Sequence, residues 1–166
     1  MIKNIKACIF DLDGTLVDSM WMWPEIDKEY LGRFGIEYDD NLKNEIDGIS
    51  FHETAVYFKN KFGISDSIEK ICKDWEDMAY DKYKYEVKEK RGCQKFLEQL
   101  KSKGIKMGIA TSNNRSMVDV VLESLGMKNF FEVITTSDEV KKGKPAPDVY
   151  LTTAKLLNVE PKHCLV

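Results

Sequence analysis

The sequence predicts an α/β fold: a parallel, Rossmann-like three-layer sandwich interrupted by an all-helical insertion. Three observations carry this reading. Short apolar runs alternate with amphipathic helical patterns through the second half of the chain, the mark of βαβ units and a parallel sheet with right-handed crossovers. The polar residues with chemical promise all follow apolar runs. The first crossover, from Asp11 to Ile105, is far too long for one helix, so it must carry an insertion.

Taken in order, residues 5–10 read as a buried first strand ending at Asp11. The insertion follows over residues 19–87. In it Ile26, Tyr30 and Phe34 recur at helical spacing before Gly35, and Ala55, Phe58 and Phe62 recur likewise before Gly63. Residues 68–85 read as a charged helix with Ile71, Trp75, Met78 and Tyr85 interleaved, its charges forming a solvated face. A helix over residues 94–103 then places Phe96, Leu97 and Leu100 together. A second strand spans residues 105–110. The helix over residues 116–125 groups Met117, Val120, Val121 and Leu125 and stops at Gly126, a natural position just past a helix end. A third strand is expected over residues 131–135. Pro145 and Pro147 precede a helix over residues 148–157 with Val149, Leu151 and Leu156, and Cys164-Leu165-Val166 opens a fourth apolar run. The core is therefore discontinuous, residues 1–18 plus 88–166, with a helical unit of residues 19–87 between.

Composition narrows the function classes. The 166 residues carry a net charge of −3, 43% hydrophobic and 32% charged residues. That balance suits a globular chain and is too mild and mixed for a nucleic-acid footprint or a polybasic membrane anchor. No apolar run approaches the ~18–20 residues needed to span a bilayer, and the run from Ala7 to Phe10 is too short for a signal peptide. Four cysteines show no CxxC pair and no histidine at ligand spacing, so a reduced, cytoplasmic protein without a zinc site is expected. His52 and His163 read as surface residues.

Candidate chemistry lies at the strand ends. In an open parallel sheet, ligands bind beyond the carboxyl ends of the strands, where Asp11, Thr111 and Lys144 should converge. Asp11-Leu12-Asp13-Gly14-Thr15 puts two carboxylates one residue apart in a tight turn. Such a pair repels unless a cation lies between, and a hard dication with oxygen ligands, Mg²⁺ by preference, resolves this. The Thr111 hydroxyl and the Lys144 ammonium both suit phosphate oxygens. Together these parts suit phosphoryl transfer. Each part also has a plain structural reading. Asp13-Gly14 alone suits a turn, Asn113 or Asn114 an N-cap, and Lys144 lies in a lysine-rich stretch with Lys141 and Lys142. Trp21, Met22 and Trp23 either line a pocket or form a hydrophobic cluster beside a hinge.

The three segments Asp11-Leu12-Asp13-Gly14-Thr15, Ile109-Ala110-Thr111-Ser112-Asn113 and Lys142-Gly143-Lys144-Pro145-Ala146-Pro147-Asp148, in this order, resemble the motifs of the haloacid dehalogenase-like hydrolases, and the insertion resembles their helical cap. The resemblance spans essentially the whole chain. It implies that Asp11 is the nucleophile, forming an aspartyl-phosphate, and that Asp13 is the acid and then the base. It implies that the Asp11 carboxylate and the Asp13 carbonyl hold Mg²⁺. Thr111, with backbone amides near Asp13 and Ser112-Asn113, would bind the phosphoryl group, and Lys144 would hold nucleophile and phosphate together. Asp13 favours a phosphate substrate over a haloacid. The partner expected is a small phosphorylated metabolite, handled by a monomer.

Two activities compete within the resemblance: hydrolysis of a small phosphate monoester, and the sugar-phosphate mutase activity of β-phosphoglucomutase. Gly48-Ile49-Ser50 resembles the mutases, but Phe51 stands where they carry an arginine and Trp23 where they carry a histidine. Hydrolysis is the favoured reading. An inactive phosphate-binding member is the rival from another class; a response-regulator receiver lacks so long a first crossover. The family's topology sets the fourth strand beside the first and continues beyond it to another acidic metal ligand. The sequence is therefore expected to be a piece of a longer chain, with the C-terminal part of the core missing.

Overall fold

Four parallel strands form one sheet in the order β3-β2-β1-β4 in the computed structural model, which describes residues 4–46 and 49–166. β1 is Ala7–Phe10, β2 Lys106–Thr111, β3 Val133–Thr136 and β4 Cys164–Leu165. The last strand lies beside the first, as the resemblance implied. The third strand starts two residues later than the sequence suggests. Residues 128–130 close a 3₁₀ turn, and the Phe131 N–H donates back to the Lys128 carbonyl at 3.2 Å. The second strand extends one residue further and takes in Thr111.

Between β1 and β2 every named element is helical: α1 (Met22–Gly32), α2 (Leu42–Ile46), α3 (Phe51–Phe62), α4 (Ile68–Asp81) with a π-helical turn Lys82–Glu86, and α5 (Cys93–Ser102). Ser50 opens α3 with a capping box closed by Glu53, and Ser67 caps α4, each satisfying backbone donors that the helix leaves free. The short α2 has no counterpart in the sequence pattern. With only Leu42 buried, it is too brief to show a period. The stripe expected on residues 68–85 needs correcting. Tyr85 is 70% exposed, whereas Ile71, Trp75, Ala79 and Tyr83 are buried. Their spacing of four stays in line because the stretch ends in the wider i→i+5 turn.

The stretches entering and leaving the insertion run side by side. Val17 forms an antiparallel bridge with Glu89, the Asp18 N–H donates to the Lys88 carbonyl at 2.8 Å, and the Lys90 N–H donates to the Leu16 carbonyl at 2.9 Å. Lys90 also pairs with Asp18 at 2.5 Å, an exposed contact worth about 0–1 kcal/mol.

Helices cover both faces of the sheet. On one face Leu97 of α5 and Met117, Val118, Val121 and Leu122 of α6 (Arg115–Ser124) pack with Met107 and Ile109. The same apolar cluster continues into α1, α3 and α4. On the other face Val149 and Ala154 of α7 (Asp148–Leu156) pack with Ala7, Ile9 and Ala110. α7 turns Val149, Thr153 and Ala154 inward and leaves Leu151 and Leu156 about half exposed, so the stripe read there from the sequence is rotated. No helix among the described residues is long and apolar enough to cross a membrane.

Gly108 lies directly against α7. A Cβ there would meet Thr153 Cγ2 at 2.7 Å and the Val133 carbonyl oxygen at 3.3 Å. Thr153 cannot swing away, because its buried hydroxyl donates to Val149 O at 2.7 Å and contacts Thr135 Oγ1 at 2.9 Å. Gly108→Ala is therefore expected to destabilise the fold by about 1–3 kcal/mol, read as a lower midpoint in urea. An unchanged midpoint would show that the α7 contact yields freely.

Candidate active site

The parallel strands deliver the predicted residues to one edge. Asp11 follows the last β1–β2 pair, Phe10↔Ile109, and Thr111 ends β2 opposite Thr136. Lys144 comes from the loop after β3, just before a cis peptide bond to Pro145. It closes the distance with an ion pair, Nζ to Asp11 Oδ1 at 2.7 Å, its side chain being the better buried of the two. The Tyr150 ring lies beneath the ammonium at 5.1 Å.

Asp13 is held by a tight turn in which the Leu12 carbonyl accepts from the N–H groups of Thr15, Leu16 and Val17. Gly14 has φ +75°, and a Cβ there would press on Met20 at 3.0 Å, so the turn requires glycine. Three donors converge on the Asp13 carboxylate. The Ser19 hydroxyl (2.5 Å) and the Tyr83 hydroxyl (2.6 Å) donate to Oδ1, and the Asn113 amide donates to Oδ2 at 3.0 Å. The Asn113 amide also donates to Tyr83 Oη at 2.7 Å. A carboxylate offers about four acceptor positions, so Oδ2 keeps room for one more proton. Burial pushes the Asp13 carboxyl above its ordinary value; the three hydrogen bonds oppose this and the charge of Asp11 adds to it. Burial, then the Asp13 charge, holds the Tyr83 hydroxyl well above its ordinary value, so it remains a donor.

Ser19 and Tyr83 are absent from the sequence-derived site. Tyr83 lies 70 residues from Asp13 in a stretch that reads as solvated. Its signal was the spacing of four with Ile71, Trp75 and Ala79.

The second segment divides its work. Asn114, not Asn113, caps α6 by accepting from the Met117 N–H at 3.0 Å, and its own amide donates to Glu76 of α4 at 2.9 Å. The Asn113 backbone N–H donates to Thr111 Oγ1 at 3.1 Å, which leaves the Thr111 hydroxyl proton available. Asn113 thus spends its side chain on Asp13 and Tyr83 and its backbone N–H on Thr111. Ser112 is half-buried.

Asp11, Asp13, Thr111, Ser112, Asn113 and Lys144 all line one cavity of about 310 Å³. Its roof comes from the insertion, with Trp23, Asp27, Tyr38, Ile49, Phe51 and Trp75 among the walls. Of the Trp21-Met22-Trp23 trio, only Trp23 lines it; Met22 is buried and Trp21 is partly exposed. Gly48, part of the mutase-like segment, lies outside the described residues, while Ser50 serves as the α3 cap.

Two oxygens suit a metal. Among the described residues the second Asp11 oxygen and the Asp13 backbone carbonyl accept no hydrogen bond. No group of three or more His, Cys, Asp or Glu side chains forms a metal cluster among the described residues. One carboxylate and one carbonyl, completed by phosphate oxygens and water, fit the hard, octahedral demands of Mg²⁺. The four cysteines are free, and burial raises every thiol above its ordinary value, Cys93 to about 11, so none competes as a nucleophile.

The model of the family described as haloacid dehalogenase-like hydrolase matches residues 8–166. A phosphorylated carbohydrates phosphatase of Thermotoga maritima is 32% identical over 98% of this chain and 75% of its own length. A validoxylamine A 7′-phosphate phosphatase of Streptomyces hygroscopicus subsp. limoneus is 30% identical over 97% of this chain and 75% of its own. The crystal structure of a β-phosphoglucomutase from Clostridium difficile superposes with a TM-score of 0.81 at 27% identity, covering 96% of this chain and 74% of that one.

Proposed function

The chain belongs to the haloacid dehalogenase-like hydrolases, and from that premise we propose that it is a phosphatase acting on small phosphate monoesters through an aspartyl-phosphate on Asp11. The observation that carries this reading is the meeting of Asp11, Lys144, Asp13 and Thr111 on the floor of one cavity. Several relatives are named as phosphatases, the two above among them.

One oxygen of the Asp11 carboxylate attacks phosphorus in line as the bond to the leaving oxygen breaks, and the other stays available to the metal. Asp13, whose burial raises its affinity for a proton, gives a proton to that oxygen through the open position on Oδ2. Asp13 then takes a proton from the water that attacks phosphorus, which frees inorganic phosphate and restores Asp11. The Thr111 hydroxyl, with a backbone amide at Ser112, binds the phosphoryl oxygens. Lys144 offsets their charge and keeps Asp11 aligned. Asn113 supports the site by positioning Asp13. Asp11 and the Asp13 carbonyl would hold Mg²⁺, which supplies charge neutralisation at the phosphoryl group.

Residues 19–87 act as a lid over a core of residues 1–18 and 88–166, hinged near Asp18-Ser19 and Val87-Arg91. Closing it would keep water from the activated phosphoryl group. The free thiols suit a cytoplasmic enzyme, which we propose acts as a monomer. A mutase reading has one observation in its favour: Lys43 lines the roof, where a distal phosphate would meet it. Against it, Phe51 lines the cavity at the position of the mutase arginine.

The purified protein with Mg²⁺ should release inorganic phosphate from small esters, hexose 1-phosphates among them, faster than it forms hexose 6-phosphate. Clean isomerisation with no phosphate released from any ester would overturn the hydrolytic reading.

A further inference from the structure

The cavity roof carries an acid that the phosphoryl chemistry does not use. Asp27 follows Trp23 by one turn of α1, lines the cavity and is only 7% exposed. No hydrogen bond or ion pair reaches its carboxyl among the described residues, and burial alone pushes it up to about 7. Four aromatic residues share the cavity lining with it. The Trp23 and Phe51 rings meet edge to face at 6.2 Å and Phe51 and Trp75 at 5.5 Å, while Tyr38 lines the same space. The Trp75 indole N–H is buried without a partner among the described residues.

An enclosed, unpaired carboxyl either stays protonated or meets a cation. Aromatic faces attract cations. Sugar hydroxyls could bond to the acid but would leave its charge unbalanced. Lys43, the other charged residue of the roof, is exposed, so water screens it while Asp27 remains enclosed. A cavity of about 310 Å³ lies at the small end of ligand sites, which favours a compact alcohol.

We propose that the alcohol part of the substrate carries a quaternary ammonium group, seated between Asp27 and the rings of Trp23, Phe51 and Trp75. The substrate class is a small amino-alcohol phosphate, and this rests on the phosphatase reading above.

Two comparisons on the unaltered protein test it. Choline phosphate should be hydrolysed with a kcat/KM at least tenfold above that of 3,3-dimethylbutyl phosphate, its uncharged isostere. By calorimetry, choline alone should bind at least tenfold more tightly than 3,3-dimethylbutanol, and Asp27→Asn should bring that ratio below threefold. Equal binding of charged and uncharged alcohols overturns the ammonium site whether or not phosphate is released. Preferential choline binding with no phosphate release from any ester overturns the phosphatase reading and leaves the ammonium site standing. The isostere comparison needs no variant, so a poorly folded Asp27→Asn would not decide the outcome.

Discussion

Asp11→Asn is expected to cut phosphate release by about 10⁴-fold or more, the scale on which removing a catalytic nucleophile acts in hydrolases. An amide cannot supply the anionic oxygen that attacks phosphorus, so the loss should fall on kcat. Stability should move little. The substitution takes the partner from Lys144, 2.7 Å away, but it also removes the repulsion that Asp11 exerts on Asp13, and these effects oppose each other. Phosphate release and thermal melting of the same preparation check both halves. Activity above a tenth of the unaltered protein, with melting unchanged, would exclude Asp11 as nucleophile. A collapse of melting would instead assign it a structural role.

Asp11, Thr111 and Lys144 were legible because parallel topology needs only the ends of apolar runs to be found. Any residue just past such a run must reach the same edge of the sheet. The burial of β1 and β2 left little ambiguity about where those runs lie. The residues that complete the site were hidden for a different reason. Tyr83 and Asp27 reach it from helices, where function depends on rotation about the helix axis. The π-helical turn Lys82–Glu86 shifts that rotation, so the stretch points Tyr83 and not Tyr85 inward. On α7 a similar misjudged phase placed Leu151 and Leu156 in the core when Thr153 and Ala154 occupy it. Asp27 did leave a trace, since Trp23 and Leu31 flank it one turn away on either side. An acid amid apolar neighbours at that spacing must be buried or border a cavity.

That burial gives the second large effect, on stability against pH. The folded Asp27 carboxyl titrates near 7, against 3.8 for the ordinary group. Between these pH values the folded protein retains a proton that the unfolded chain has released, so this group's contribution to stability falls as pH rises across the window. Above it the full penalty applies, on the order of 4 kcal/mol at 1.36 kcal/mol per pKa unit. Asp27→Asn removes the ionisation while keeping the shape. The variant should match the unaltered protein near pH 4 and exceed it by several kcal/mol at pH 8 in urea unfolding. Every other titrating group is common to both proteins and cancels in the comparison. A stability difference independent of pH would mean that the carboxyl is already paired or hydrated in solution. If the difference grows with pH as expected, added choline should narrow it at pH 8 by stabilising the protein that retains the acid more than the variant. A residue that weakens the fold at neutral pH and is relieved by a ligand is what a stability–function compromise looks like at a binding site.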